Sequence, residues 1–172
     1  PTDPVTVTAR VLDEAPATTV VNLRWRVDGT TSFNTVAMAD DGAHGEGVAG
    51  DGLYGAIVPP HPRGTVIEFF VEARDAAGNH RAYPAYVPPP NSTRTANLLF
   101  QVDDGAYTGA QPVYRIIMRE DERAELYNLG RQFPDADSDA EMNATWISTD
   151  GVLDGGTTTQ LRYNVGVRNR GH

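Results

Sequence analysis

Residues 39–55 constrain the fold more than any other part of this sequence, because they place six glycines and four carboxylates in one short stretch. Each glycine inside a helix costs about 1 kcal/mol relative to alanine, which argues against a helix here. Glycine also reaches positive φ angles without steric cost, so the chain is expected to turn repeatedly. We therefore predict a compact loop between two strands, and call it the acidic loop.

The acidic side chains of this loop are the best candidate ligands in the chain, and they are Asp40, Asp41, Glu46 and Asp51. Their charges repel one another unless they point into water or share a cation, and Ca²⁺ prefers carboxylate, carbonyl and water oxygens. The sequence thus predicts a calcium site at these four residues, although their spacing is not that of an EF-hand. The alternative is a turn without metal, because aspartate side chains accept hydrogen bonds from nearby backbone N–H groups.

The charge composition excludes several classes of function. The net charge is −9, all 14 basic residues are arginine, and the chain has no lysine and no cysteine. Non-specific binding to nucleic acid or to an anionic membrane depends on an excess of lysine and arginine, so it is not expected for this acidic protein. No run approaches the roughly 20 apolar residues that a membrane-spanning helix needs, so no membrane insertion is predicted.

The four histidines do not form a zinc motif. They are His44, His61, His80 and His172, and no HxH or HExxH spacing connects them. Because structural and catalytic zinc sites use such spacings, the pattern predicts surface histidines.

The first part of the chain alternates apolar and polar residues with the period of two that is typical of half-buried strands. The predicted strands are residues 5–11, 21–27, 33–38, 53–58, 65–74, 81–87 and 96–102. Short strands at regular spacing with turn residues between them indicate an antiparallel β-sandwich, here over residues 1–103. Trp25 and Leu23 are expected in its core.

The pattern changes after a polar linker at residues 104–111. A buried strand is predicted at 113–118, a helix at 119–130 that ends at Gly130, and a β-hairpin at 142–148 and 160–168. The expected apolar side of the helix consists of Ala124, Leu126, Tyr127 and Leu129. The chain is therefore predicted to be mainly β, with a sandwich followed by a smaller α+β unit at 112–172.

Two segments of the second part resemble the CotH family of spore-coat and secreted proteins, whose members look like atypical protein kinases. They are Pro112-Val-Tyr-Arg-Ile-Ile-Met118, with the acidic helix after it, and Val165-Gly-Val-Arg-Asn-Arg-Gly-His172. The family pattern for the latter is V-G-[VI]-R-x-R-G-x followed by two serines, which do not occur here. The first domain, with the stretch from Met38 to Tyr54, in turn resembles the immunoglobulin-like modules that often precede CotH domains in large exported bacterial proteins. The fold class implied for it is an immunoglobulin-like or fibronectin-III-like sandwich.

The resemblance implies a kinase-like parent protein, with ATP and Mg²⁺ bound only in the full-length chain. Arg168, Arg170 and Gly171 match the loop that lies near the nucleotide pocket in the family. The alternative for the two arginines is a solvated strand end. No catalytic residue is expected in this segment, because the family's catalytic aspartates lie beyond the motif.

Two functional hypotheses follow from the sequence. In the first, the chain is the non-catalytic N-terminal part of an exported or cell-surface bacterial protein, with the sandwich as spacer or interaction domain for the rest of the same polypeptide. In the second, it is a structural or adhesive surface protein that assembles with identical subunits through exposed strand edges.

Overall fold

The computed structural model describes residues 3–14, 18–85, 96–103, 105, 107–129, 131, 139–151 and 158–169. Over these residues the protein is mainly β, with antiparallel sheets and one helix. The predicted fold class, an antiparallel β-sandwich with a smaller α+β unit, is confirmed.

The elements follow the predicted order along the chain. They are β1 (Val5–Arg10), β2 (Val20–Val27), β3 (Asn34–Ala37), β4 (Leu53–Val58), β5 (Val66–Arg74), β6 (His80–Tyr83), β7 (Leu98–Gln101), β8 (Val113–Met118), α1 (Glu120–Leu129), β9 (Met142–Thr149) and β10 (Thr159–Val167). Strands β4 and β8 have the predicted bounds, and the others differ by one to a few residues. No helix in the described part of the chain is long and apolar enough to cross a membrane.

The chain divides into two compact units that are not continuous in sequence. The first comprises residues 1–26, 30–62 and 69–97, and the second comprises residues 27–29, 63–68 and 98–172. Strand β5 therefore contributes its first residues to the second unit and its remainder to the first. The division into domains at 1–103 and 112–172 with a linker at 104–111 stays a prediction.

The first unit buries alternate residues from two sheets. In one sheet β1 pairs with β4, from Val5 opposite Val58 to Arg10 opposite Leu53. In the other, β2 lies between β3 and β5, and β6 pairs with β5. The buried apolar residues of the unit include Val7, Val21, Leu23, Trp25, Met38, Tyr54, Ala56, Val58, Phe69 and Val71. Burying a large apolar side chain of this kind stabilises the folded state by about 1.5–3 kcal/mol. Trp25 and Leu23 are both buried, so their predicted core position is confirmed.

In the second unit, β9 forms the centre of a three-stranded antiparallel sheet. It pairs with β8 on one side and with β10 on the other, so the predicted hairpin is confirmed. The register of β9 and β10 shifts between Arg162 and Val165, where Asn164 has a φ of 51°. Asparagine tolerates this left-handed conformation better than most residues, which fits a bulge at this position.

Helix α1 begins at an aspartate from another part of the chain, and it differs from the prediction in the face that it buries. At its N-terminus, the first N–H, that of Glu120, donates to the Asp28 carboxylate at 2.8 Å. A carboxylate at a helix N-terminus satisfies a donor that has no partner within the helix and complements the helix dipole. The buried helix residue is Glu122, whereas Tyr127, expected on the apolar side, is 56% exposed. The expected apolar side is therefore wrong for Tyr127, and Gly130 lies outside the described residues.

Candidate functional site

The acidic loop is closed at its base by an antiparallel bridge between Ala39 and Gly55, which lies in β4. Ala39 and Gly55 exchange two backbone hydrogen bonds, of 2.9 and 2.7 Å. Between them the chain takes positive φ angles at Gly42, Gly45, Gly47, Gly50 and Gly52. These left-handed positions explain the glycine content of the loop, because a Cβ would strain the backbone there.

Asp40 organises the second half of the loop. One of its carboxylate oxygens accepts the backbone N–H groups of Gly50 at 2.7 Å and Asp51 at 3.3 Å. The other accepts the N–H of Gly52 at 2.8 Å. Three donors from a distant part of the loop thus converge on one carboxylate, which holds the two halves of the loop together.

Glu46 organises the first half of the loop and is the buried carboxylate of the set, with 4% of its surface exposed. Its oxygens accept the N–H groups of Asp41 at 3.0 Å, Gly42 at 2.5 Å and His44 at 2.8 Å. Burial by itself would raise the pKa of this carboxyl, but the backbone donors outweigh it and lower the pKa. Glu46 is therefore held as a carboxylate by the loop's own amides.

A hydrogen-bonded pair of Asp41 and His44 lies beside Glu46, and it is an ion pair when the His44 ring is protonated. The Asp41 carboxylate is 2.9 Å from Nδ1 of the His44 ring and accepts the N–H of Ala43 at 2.9 Å. The hydrogen bond to His44, followed by the one from Ala43, lowers the pKa of Asp41. The same bond and the charge of Asp41 raise the pKa of His44.

Asp51 fixes the exit of the loop. Its carboxylate accepts the N–H of Leu53 at 2.9 Å, as an aspartate in a turn commonly does. Its carbonyl oxygen accepts a hydrogen bond from the Arg10 guanidinium at 3.2 Å. All four predicted ligands therefore accept backbone N–H groups, as the metal-free alternative predicts.

The structure brings together only part of the predicted calcium ligand set. Within the described residues, ligand atoms of Asp41, His44 and Glu46 all lie within 4.8 Å of one another, and Asp40 and Asp51 are not in this cluster. Sequence reasoning missed His44, because it looked for histidines paired with each other. The closeness of Asp41, His44 and Glu46 in the sequence was the signal that could have added His44 to the candidate site. Calcium binding by the loop stays a prediction.

Of the residues that match the CotH loop, only Arg168 is described. Its guanidinium forms an ion pair with Asp139 at 2.6 Å, and Asp139 is itself largely exposed. The next residue, Asn169, donates to the carbonyl oxygen of Leu126 in α1 at 2.6 Å. Arg170 and Gly171 lie outside the described residues.

A second charged cluster, in the second unit, was not foreseen. Glu68 is a charged residue within β5, yet it is only 1% exposed. Its carboxylate lies 3.3 Å from the Arg119 guanidinium, which also pairs with Asp121. A buried carboxylate needs such a partner, because removing a charge from water is costly.

Comparison with protein-family models and with curated proteins gives no match.

Proposed function

We propose that the chain is a non-catalytic part of an exported, CotH-like bacterial surface protein, in which the first unit is a rigid spacer or interaction module. The observation that carries this proposal is the hydrogen bonding of the acidic loop. Asp40 and Glu46 each accept three backbone N–H groups, so a glycine-rich segment is tied into one conformation. A spacer needs that rigidity.

The absence of lysine supports the non-catalytic part of the proposal. Phosphoryl transfer needs cationic side chains at the phosphates and carboxylates that hold Mg²⁺. The chain has no lysine, and Arg168 is paired with Asp139. Nucleotide chemistry is therefore assigned to the full-length parent and not to this segment.

Proteolysis tests the rigidity on which the proposal depends. The 172-residue protein is treated with a protease of broad specificity, and the cleavage sites are mapped by mass spectrometry. We expect residues 39–55 to stay uncut while the protein is folded, because a locally ordered loop does not fit a protease active site. Rapid cleavage between Asp40 and Asp51 would overturn the spacer role.

Nucleotide binding tests the non-catalytic assignment separately. Mg²⁺–ATP is expected to leave the melting temperature unchanged, because a ligand that binds only the folded state would raise it. A rise that disappears in Arg168→Gln would instead assign a nucleotide site to this segment. Continuation of the reading frame into two serines and paired aspartates would support the CotH-like parent.

A second role, self-assembly through strand edges, is favoured by apolar side chains on the outer strands of the three-stranded sheet. Strand β8 exposes Tyr114 and Ile116, and β10 exposes Leu161. Exposed edges with apolar residues are templates for pairing with another chain. Sedimentation velocity over a wide range of protein concentration distinguishes the two roles: a monomer throughout supports the spacer, and concentration-dependent oligomers support assembly.

A further inference from the structure

An open groove of about 550 Å³ lies between the segment that follows β1 and the second half of the acidic loop. Its walls include Leu12 and Asp13 on one side and Asp40, Asp51 and Tyr54 on the other. The groove thus combines apolar surface with three carboxylates. It shares Asp40 and Asp51 with the predicted calcium ligands but contains neither Asp41 nor Glu46.

Tyr54 is the feature that distinguishes this groove from an ordinary acidic surface. The residue is 8% exposed, and its hydroxyl has no hydrogen-bond partner among the residues that the structure describes. Burial first, and then the negative charges of Asp40 and Asp13, raise the pKa of this hydroxyl. The hydroxyl oxygen is not one of the fully buried polar atoms that lack a partner, so solvent reaches it at the groove that Tyr54 lines. A hydroxyl that bonds to no other residue of the described chain can donate to or accept from a ligand there.

The spacing of the carboxylates argues against a metal ion in the groove. Asp13, Asp40 and Asp51 do not form a cluster within 4.8 Å, whereas Asp41, His44 and Glu46 do. A single ion needs oxygens at about 2.3–2.6 Å from its centre, which requires close convergence. The groove carboxylates suit a larger cation that spans them.

A guanidinium group fits these walls. It is planar, permanently charged, and carries five N–H donors in a rigid fork that can reach several acceptors at once. The aliphatic stem of an arginine can lie against Leu12 and the ring of Tyr54, as long cationic side chains do on apolar surfaces. The chain's own Arg10 contacts the carbonyl oxygen of Asp51.

We infer that this groove binds an arginine side chain of a partner protein, with Asp13, Asp51 and the Tyr54 hydroxyl as its acceptors. This inference rests on the interaction role proposed for the first unit, and it adds the chemistry of the partner. Charge complementarity carries it, because a protein of net charge −9 attracts cationic partners over a distance.

The test is a titration of the isotope-labelled 172-residue protein with the blocked tripeptide Gly-Arg-Gly, followed by NMR. We expect saturable shifts of the amide signals of Leu12, Gly52 and Tyr54, and no saturable shift with the matched peptide Gly-Gln-Gly. Asp13→Asn and Tyr54→Phe are each expected to weaken binding about three- to fivefold, the effect of one partly exposed polar contact. Asp41→Asn, a carboxylate of the same loop outside the groove, is expected to bind the arginine peptide normally.

Equal shifts with both peptides, or unchanged affinity in both Asp13→Asn and Tyr54→Phe, would overturn the inference. Displacement of the arginine peptide by calcium chloride would also overturn it, because it would make the groove a metal site. The amide spectra of the variants show whether each is folded, and two variants keep the test decisive if one is not. Failure here removes the groove as a binding site but leaves the proteolysis and nucleotide tests of the proposed function untouched.

Discussion

Gly55 leaves the space that the Glu46 carboxylate occupies. A Cβ atom at residue 55 would lie 2.9 Å from Oε2 of Glu46 and 2.7 Å from the carbonyl oxygen of His44. Gly55 has no positive φ, so this glycine is required for close approach and not for a turn. The base of the acidic loop and its central carboxylate are therefore fitted to each other.

Gly55→Ala is expected to destabilise the protein by about 1–3 kcal/mol, the usual cost of forcing an extra methyl group into a packed site. The His44 carbonyl belongs to the backbone and cannot move without shifting the loop. Gly105→Ala is the control, since its nearest neighbour is the flexible end of Arg63 at 3.3 Å. Denaturant unfolding measures both, and equal effects of the two substitutions would contradict the close-approach explanation.

The ion pair of Asp41 and His44 is expected to make stability depend on pH in a defined window. The raised pKa of His44 means that its contribution is complete below its ordinary pKa of 6.5 and is lost as pH rises through the folded-state pKa. The lowered pKa of Asp41 means that its contribution is present above its ordinary value of 3.8 and is lost as pH falls through the folded-state pKa. The pair therefore stabilises the folded state most between pH 3.8 and pH 6.5, the ordinary pKa values of the two groups.

The measurement is the difference in melting temperature between the native sequence and His44→Gln. We expect the difference to be larger at about pH 5.5 than at about pH 8. NMR titration of the His44 ring should give a pKa above 6.5 that falls in Asp41→Asn. A difference that is flat across this range would show that the two side chains do not form an ion pair in solution.

Calcium at millimolar concentration is expected to raise the melting temperature if the predicted ligands Asp40, Asp41, Glu46 and Asp51, or the Asp41 and Glu46 that lie together, bind the ion. A ligand at a hundredfold excess over its Kd stabilises the folded state by about 2.7 kcal/mol. Extracellular calcium modules commonly have Kd values of about 10⁻⁴–10⁻³ M. Asp41→Asn should abolish the rise, and Asp75→Asn, which changes a turn outside the loop, should keep it. The same melting temperature in calcium and in chelator would leave the loop as a network of amides and carboxylates alone.

Arg119→Ala is expected to cost about 2–3 kcal/mol, because it leaves the buried Glu68 carboxylate without its cationic partner. The value lies below that of a fully buried pair, since Arg119 keeps 19% of its side chain exposed. The control is Asp121→Asn, which removes the exposed partner of Arg119 and should cost less than about 1 kcal/mol. Combining Arg119→Met with Glu68→Leu should recover most of the loss, and a double variant as unstable as Arg119→Ala would contradict this account.

The strands were predictable because burial imposes a period of two on the sequence. Strands β4 and β8 were placed at their observed bounds, and Trp25 was placed in the core. The burial of Glu68 could not be predicted, because alternation says which way a side chain points but not what covers it. Its partner Arg119 lies 51 residues further along the chain, beyond the reach of a local pattern.

The acidic loop was recognised from composition, and its turn-forming aspartates follow from local chemistry. The role of Glu46 was not foreseen, since sequence alone could not show that its carboxylate folds back onto the N–H groups of Asp41, Gly42 and His44. Whether a carboxylate faces water, a metal or the backbone depends on φ angles that glycine leaves free. Composition therefore located the loop but could not choose among these three states.

The acidic loop also affects how the protein ages chemically. An Asp-Gly peptide converts to isoaspartate when the glycine nitrogen attacks the side-chain carbonyl carbon of the preceding aspartate. The loop contains two such pairs, but the nitrogen of Gly42 donates to Glu46 and that of Gly52 donates to Asp40. We predict that both pairs isomerise more slowly in the folded protein than in the unfolded chain, which peptide mapping after prolonged incubation would measure. Equal rates in the two states would contradict this. The bonds that shape the loop then also protect its covalent backbone.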